Sequence, residues 1–216
     1  MVVIKFLTFI YLLVYNHNMK NTNSKETLLE CALTLFSQKG YESAGINEIV
    51  QMAGVTKPTL YYFFHSKEGI FAEILKQYYE KFNIILANES VYHPNAESYQ
   101  DDVFPTLLRI ANAYFNYAQE NTRFYMMILS LAYAPPTAQV TAIIKPYNIA
   151  QYEIIIRCFE CIAETHSNLK GKELACAYSF VAMVNATIGF WNHGYVNIDK
   201  QQAEQVVQQF MHGIFS

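Results

Sequence analysis

The stretch GVTKPTLYYFFHSKEGIF, residues 54–71, decides how this chain is read. Ring-bearing side chains follow one another without a break from Tyr61 to His65. An α-helix turns by about 100° per residue, so on a helix starting near Lys57 the pair Leu60 and Phe64 shares one face and turns inward. Pro58, Thr59, Tyr61 and Tyr62 then point away from that face, with Phe63 at its edge. Two neighbouring tyrosines on the outside of so short a helix have either the rest of the protein or an external partner to cover them, and spacing alone leaves both readings open.

The flanking residues give this helix its setting. Ile46, Ile49, Val50 and Ala53 repeat at helical spacing and stop at Gly54, which predicts a short helix just upstream. Thr56 is placed to cap the next one, and Pro58 is tolerated in a first turn whose amides need no intrahelical partner. Two short helices around a tight turn make a helix-turn-helix. Further upstream, Asn23 lies three residues before Glu26 in a weak capping box, Leu29, Leu33 and Phe36 follow, and Lys39 with Gly40 closes a helix over 24–39. Downstream, Ser66 caps a fourth helix whose apolar side carries Ile70, Phe71, Ile74, Leu75 and Tyr78. Lys67 sits in its first turn against the helix dipole, so an external anion is expected there.

Residues 28–71, and AGVTKPTLYYFF followed by SKE above all, resemble the tetracycline-repressor (TetR) family of bacterial transcription regulators. The resemblance implies an all-α fold: an N-terminal helix-turn-helix three-helix module followed by a larger helical ligand-binding and dimerisation domain. By position, Thr56, Lys57, Pro58, Thr59, Tyr61 and Tyr62 line DNA, and Lys67 touches a phosphate. Ala44 and Gly45 stand where many members carry Thr or Ser, and Phe63 where many carry His or Tyr, which removes possible phosphate donors. Gly45 still serves as an N-cap. The expected partners are a double-stranded DNA operator, a second copy of the chain and an apolar small-molecule inducer, in the cytoplasm, with no cofactor.

The expected division is an apolar extension over 1–18, the DNA-binding domain over 19–66 and the helical domain over 67–216. Within the last, helices are expected at 101–119, 122–133, 147–166, 172–193 and 200–215. Pro135, Pro136 and Pro146 bound a connecting segment. Ala203, Val206, Val207, Phe210, Met211 and Ile214 form one amphipathic stripe, and the preceding helix is apolar nearly all round from Leu174 to Trp191. Both are assigned to a four-helix dimer interface. Tyr114, Tyr125, Tyr152, Phe159, Tyr178 and Asn185 are candidate ligand contacts, with Glu153 and His193 as further polar anchors. Each aromatic among them is equally readable as core.

Composition narrows the alternatives. Residues 1–82 hold 8 lysines and 7 acidic residues, and residues 83–216 hold 7 basic and 11 acidic ones, so charge alone does not mark a nucleic-acid binder. Cys31, Cys158, Cys161 and Cys176 all fall in apolar helical stretches and read as reduced core residues rather than disulfide staples. His166 and His193 have no acid at a metal-ligand spacing, so no metal site is expected. No dinucleotide, P-loop, zinc-protease or nucleophile-elbow motif is present, so no catalytic chemistry is expected. The opening apolar run from Val2 to Tyr15 is shorter than the roughly 20 residues of a spanning helix and lacks a signal-peptidase site. It reads as an upstream extension of a chain starting at Met19, or as a membrane-surface anchor. The latter goes with a competing class, a helical ligand carrier or membrane-associated sensor that has lost DNA binding.

Overall fold

The computed structural model describes residues 23–132, 134–135 and 138–213, and its regular elements there are all helical. In chain order they are α1 (23–39), α2 (Ile46–Ala53), α3 (Lys57–Phe64), α4 (Lys67–Glu89), α5 (Tyr99–Glu120), α6 (Thr122–Leu131), α7 (Gln139–Thr165), α8 (Glu173–Asn192) and α9 (Lys200–His212). A short 3-10 turn, Ser167–Leu169, precedes α8. The expectations for residues 1–18 and for Ile214 lie outside the described residues.

Two compact units divide between Ile74 and Leu75, eight residues beyond the boundary expected from the sequence. The reason is the core of the first unit. Ile70, Phe71 and Ile74 of α4 are buried together with Leu28, Ala32, Leu33 and Phe36 of α1, Ile49 and Val50 of α2, and Leu60 and Phe64 of α3. Burying each such side chain contributes about 1.5–3 kcal/mol, so the first turns of α4 are an integral part of this unit. Phe36, Tyr41 and Phe71 form its aromatic centre, with ring centroids 4.7 to 5.6 Å apart. The expected cap at Asn23 is not seen as a boundary, because α1 is already helical there and the Asn23 carbonyl accepts from Thr27 Oγ1 at 2.7 Å.

The second unit, to Ser216, is built around aromatic pairs. Phe82 stacks on Tyr117 at 4.2 Å and meets Tyr114 edge-on at 4.9 Å, while Tyr78 stacks on Phe124 at 4.4 Å. Offset and edge-on pairs of this kind add to the stabilisation from burial itself. α7 begins well before the expected residue 147 and carries Pro146 in its interior. Pro146 is exposed, while Val140 and Ile144 anchor the preceding turns in the core. Tertiary burial thus outweighs the lost backbone hydrogen bond.

Two assignments change. The stripe of α9 is spent on the chain's own core: Ala203, Val206 and Val207 are buried, and Phe210 meets Phe159 and Phe180 at 5.9 and 5.2 Å. An amphipathic stripe announces burial without saying against what, and here α9 lies mainly along α5. α8 buries only Ala177, Phe180, Val181, Val184 and Ile188, and leaves Leu174, Tyr178 and Phe190 about half exposed. It is long and apolar enough to cross a membrane by length and composition alone. The four cysteines are free, as expected, but Cys161 is exposed rather than core. Burial pushes the Cys158 thiol up to about 12.

Candidate nucleic-acid interface

The turn between α2 and α3 is fixed by backbone geometry. Gly54 closes α2 in the left-handed region (φ 65°, ψ 27°), and the Val55 amide reaches back to the Val50 carbonyl at 3.0 Å. A side chain at this φ is strained, which is why glycine belongs there. Gly45 is the N-cap of α2, and its amide donates to Glu48 Oε2 at 3.3 Å. Thr56 occupies the N-cap position of α3 in extended conformation but caps nothing with its side chain. Its hydroxyl pairs instead with that of Thr59 at 2.9 Å.

α3 sorts its residues as helical spacing dictates. Leu60 and Phe64 are buried, and Phe63 is half-buried. Thr56, Lys57, Pro58, Tyr61 and Tyr62 are exposed, Thr59 half-buried, and Tyr62 shows 71% of its surface. Within the first unit, then, the outward tyrosines are left uncovered. The Tyr62 ring is steadied edge-on by Phe63 at 5.0 Å. α3 carries no acidic residue, and Lys57 has no ion pair among the described residues. In contrast, Lys25 and Lys39 are paired with Glu73 at 2.8 Å and Glu48 at 2.6 Å.

Lys67 is half-buried and finds its partners inside the protein. Its Nζ donates to the Tyr41 carbonyl at 3.0 Å and to the Glu42 carbonyl at 3.4 Å, and lies 4.3 Å from the centre of the Tyr41 ring. These contacts account for a lysine in the first turn of α4 without an external anion. An ammonium has three donors, so one remains. Ser66 caps α4 as expected, accepting from the Gly69 amide at 3.0 Å.

A groove of about 560 Å³ runs beside this surface, lined by Ser43, Gly45, Asn47, Lys57, Tyr61 and Lys67 among others. Ser43 and Asn47 are exposed polar groups at the start of α2 that sequence reasoning passed over. It looked for a hydroxyl at position 44, but Ala44 is buried, so a hydroxyl there would face the core. A check of neighbouring positions for inward and outward facing is the signal that points to Ser43.

The candidate ligand contacts separate. Tyr114, Tyr125 and Phe159 are fully buried in the second unit, and Tyr125 donates its hydroxyl to Asn185 Oδ1 at 2.7 Å. Tyr152 and Tyr178 meet edge-on at 4.9 Å on the wall of a cavity of about 650 Å³ that Glu153 also lines. His193 is exposed and stacks on Tyr195. His166 does have an acid partner, 64 residues away in sequence: its Nε2 lies 2.8 Å from Asp102 Oδ2.

A three-helix module whose third helix offers hydroxyls, aromatic rings and a free lysine, with no carboxylate, defines a helix-turn-helix DNA-binding protein. Residues 28–74 match the family described as bacterial regulatory proteins, tetR family. The helix-turn-helix region, residues 28–74, is thus that of the TetR family of transcriptional regulators. The chain is 32% identical over 102 residues to the HTH-type transcriptional regulator YdgC of Bacillus subtilis, covering 47% of this chain and 51% of that one; the match therefore spans about half of that relative's length. With the HTH-type transcriptional activator FasR of Mycolicibacterium smegmatis it shares 25% identity over 186 residues, 86% of this chain and 80% of that protein. The fold superposes on the transcriptional regulator FadR from Bacillus subtilis, solved in complex with stearoyl-CoA, with a TM-score of 0.72 at 14% identity, covering 88% and 98% of the two chains.

Proposed function

We propose that this regulator is a dimeric repressor that reads a short inverted repeat with α3 and is released by an apolar small molecule held in its second unit. The observation that carries the DNA half is the outer face of α3. Lys57, Thr56 and Thr59 supply donors for phosphate oxygens, and Tyr61 and Tyr62 supply rings and hydroxyls for sugar and base edges. Lys67 contributes its third N–H to a phosphate, with Ser43 and Asn47 beside it.

For the second copy, the supporting feature is the outward arc of α8 rather than the stripe of α9. Leu174, Tyr178, Ala182, Ala186 and Phe190 are all exposed there, and an isologous contact between two such arcs buries both. Reading both halves of an inverted repeat requires the two α3 helices about one helical turn apart, roughly 34–36 Å. The ligand half rests on the cavity beside Tyr152 and Tyr178 and on buried polar atoms without a hydrogen-bond partner among the described residues, Tyr114 Oη and Gln151 Nε2. It also draws on FadR having been solved with stearoyl-CoA. A release of DNA requires only that the ligand prefer one of two states, and coupling of about 1–3 kcal/mol is typical. α4 runs through both units and is the covalent route for it.

Binding of the purified protein to its own upstream DNA and to a scrambled duplex, at two salt concentrations, tests the reading. Specific, salt-weakened binding with a stoichiometry of two chains per site is expected. Tyr178→Arg is expected to give monomers by analytical ultracentrifugation and to lose operator binding. Equal affinity for both duplexes would remove the proposed operator. A reporter gene driven by that operator reads the sign of control, and activation there, as FasR is named for, would replace repression.

A further inference from the structure

We infer that a second cavity, between α5, α9 and the start of α8, is a binding site for a single-tailed amphiphile with a monoanionic head group. This rests on the ligand-released reading above for the reason a ligand binds, and adds a site apart from the cavity beside Tyr152 and Tyr178. The cavity holds about 540 Å³, within the usual range for small-molecule sites.

Its inner wall is apolar: Val103 and Leu107 of α5, Phe159 of α7, and Phe210 and Met211 of α9. The Phe159 and Phe210 rings pack on one another, and on Phe180 behind them, at 5.2 to 6.3 Å. Its polar lining comes from His166, Asn168 and Lys172 in the segment leading into α8, and from Ser179 two turns further along that helix. No acidic residue is among the lining residues, and the one formal charge is the Lys172 ammonium. Lys172 is exposed, and among the described residues its Nζ is held by the Asn168 carbonyl alone, at 2.9 Å, a neutral partner. A charge of that sign beside an apolar chamber selects an anion with a hydrocarbon tail.

His166 is held in place from behind. The Asp102 side chain is fully buried and accepts from His166 Nε2, from Tyr92 Oη at 2.5 Å, and from the Asn95 and Val103 amides at 2.8 and 2.6 Å. Burial alone would raise its pKa, but these donors together hold it below the usual range. The carboxylate therefore stays ionised, and the proton between the two groups rests on Nε2. Nδ1, the other ring nitrogen, has no partner among the described residues. Nδ1 is then the unprotonated nitrogen, an acceptor that can take an O–H but not a carboxylate oxygen, so the anionic head is left to the Lys172 ammonium.

Titration calorimetry with sodium octanoate and with 1-octanol, on the full chain without DNA, tests this. Octanoate is expected to bind one per chain, about tenfold tighter than octanol, because only it meets the Lys172 charge. Lys172→Gln is expected to bring octanoate down to the octanol level and leave octanol unchanged. Ser179→Trp at the rim is expected to remove both. Both residues are exposed, and far-UV circular dichroism checks each fold; Lys172→Gln alone suffices if the tryptophan variant does not fold. Octanol binding as tightly as octanoate, octanoate affinity unmoved by Lys172→Gln, or no octanoate binding would overturn the site while leaving the operator reading intact. Octanoate binding that leaves operator affinity unchanged supports the site and counts against release by ligand.

Discussion

Replacing Gly69 by alanine is expected to destabilise the first unit, against the sign that helix propensity gives. Gly69 lies in the first turn of α4, and a glycine-to-alanine change in a helix normally stabilises by up to about 1 kcal/mol. Here a Cβ built on the backbone would lie 1.8 Å from the Phe64 carbonyl oxygen and 3.0 Å from its carbon. Comfortable contact begins near 3.5 Å, so the elbow between α3 and α4 must open by roughly 1.5 Å. That elbow is already tight, with His65 at φ 64° and the Ser66 amide 2.7 Å from the same Phe64 oxygen. Overpacking costs about 1–3 kcal/mol, and the atom in the way is backbone, which cannot swing aside. With the upper end of that range, as befits an unyielding backbone atom, less the propensity gain, a net loss of about 2 kcal/mol is expected, a shift of roughly thirtyfold toward the unfolded form. Urea unfolding followed by circular dichroism reads it. Gly189→Ala is the internal control, because nothing lies within 4 Å of a Cβ at that helical position and a gain or no change is expected. Equal, small effects for both variants would refute the close approach at Gly69.

Tyr62→Ala is expected to change stability by no more than about 0.5 kcal/mol while weakening operator binding by about 1–3 kcal/mol; a lowered melting temperature with intact binding would reverse that assignment. Lys67→Met is expected to cost about 1 kcal/mol of stability through its two carbonyl contacts and the Tyr41 ring, read as a lower urea midpoint. Asp102→Asn is expected to cost at least about 2 kcal/mol near neutral pH. Because the folded carboxyl titrates below its unfolded value of about 3.9, the stability it contributes is present above that pH and fades as pH falls through the folded value. The gap between wild type and Asp102→Asn, measured by urea unfolding from pH 5 to pH 3, should therefore narrow, and a constant gap would remove the ionised carboxylate from the account.

What was legible in the sequence was local. Leu60 and Phe64 against Tyr61 and Tyr62, Gly54 at the turn and Ser66 at a cap all follow from residues within a few positions of each other. Contacts between distant residues carry no such spacing. Lys67 looked as if it needed an anion because the Tyr41 and Glu42 carbonyls that satisfy it lie about 25 residues upstream. The Asp102–His166 pair was invisible for the same reason. The α9 stripe was read correctly as a buried face, but hydrophobic periodicity is the same whether the cover is α5 or another chain. Pro146 misled in the opposite direction, since a local breaker was overruled by the burial of Val140 and Ile144.

The chain has 17 tyrosines and a single tryptophan, Trp191. That indole is half-buried at the C-terminal end of α8, next to the exposed Phe190. Its fluorescence is a built-in optical reporter with one address: a change in emission colour or quenching on mixing with DNA, a second copy or an amphiphile reports on that end of α8, with no label attached.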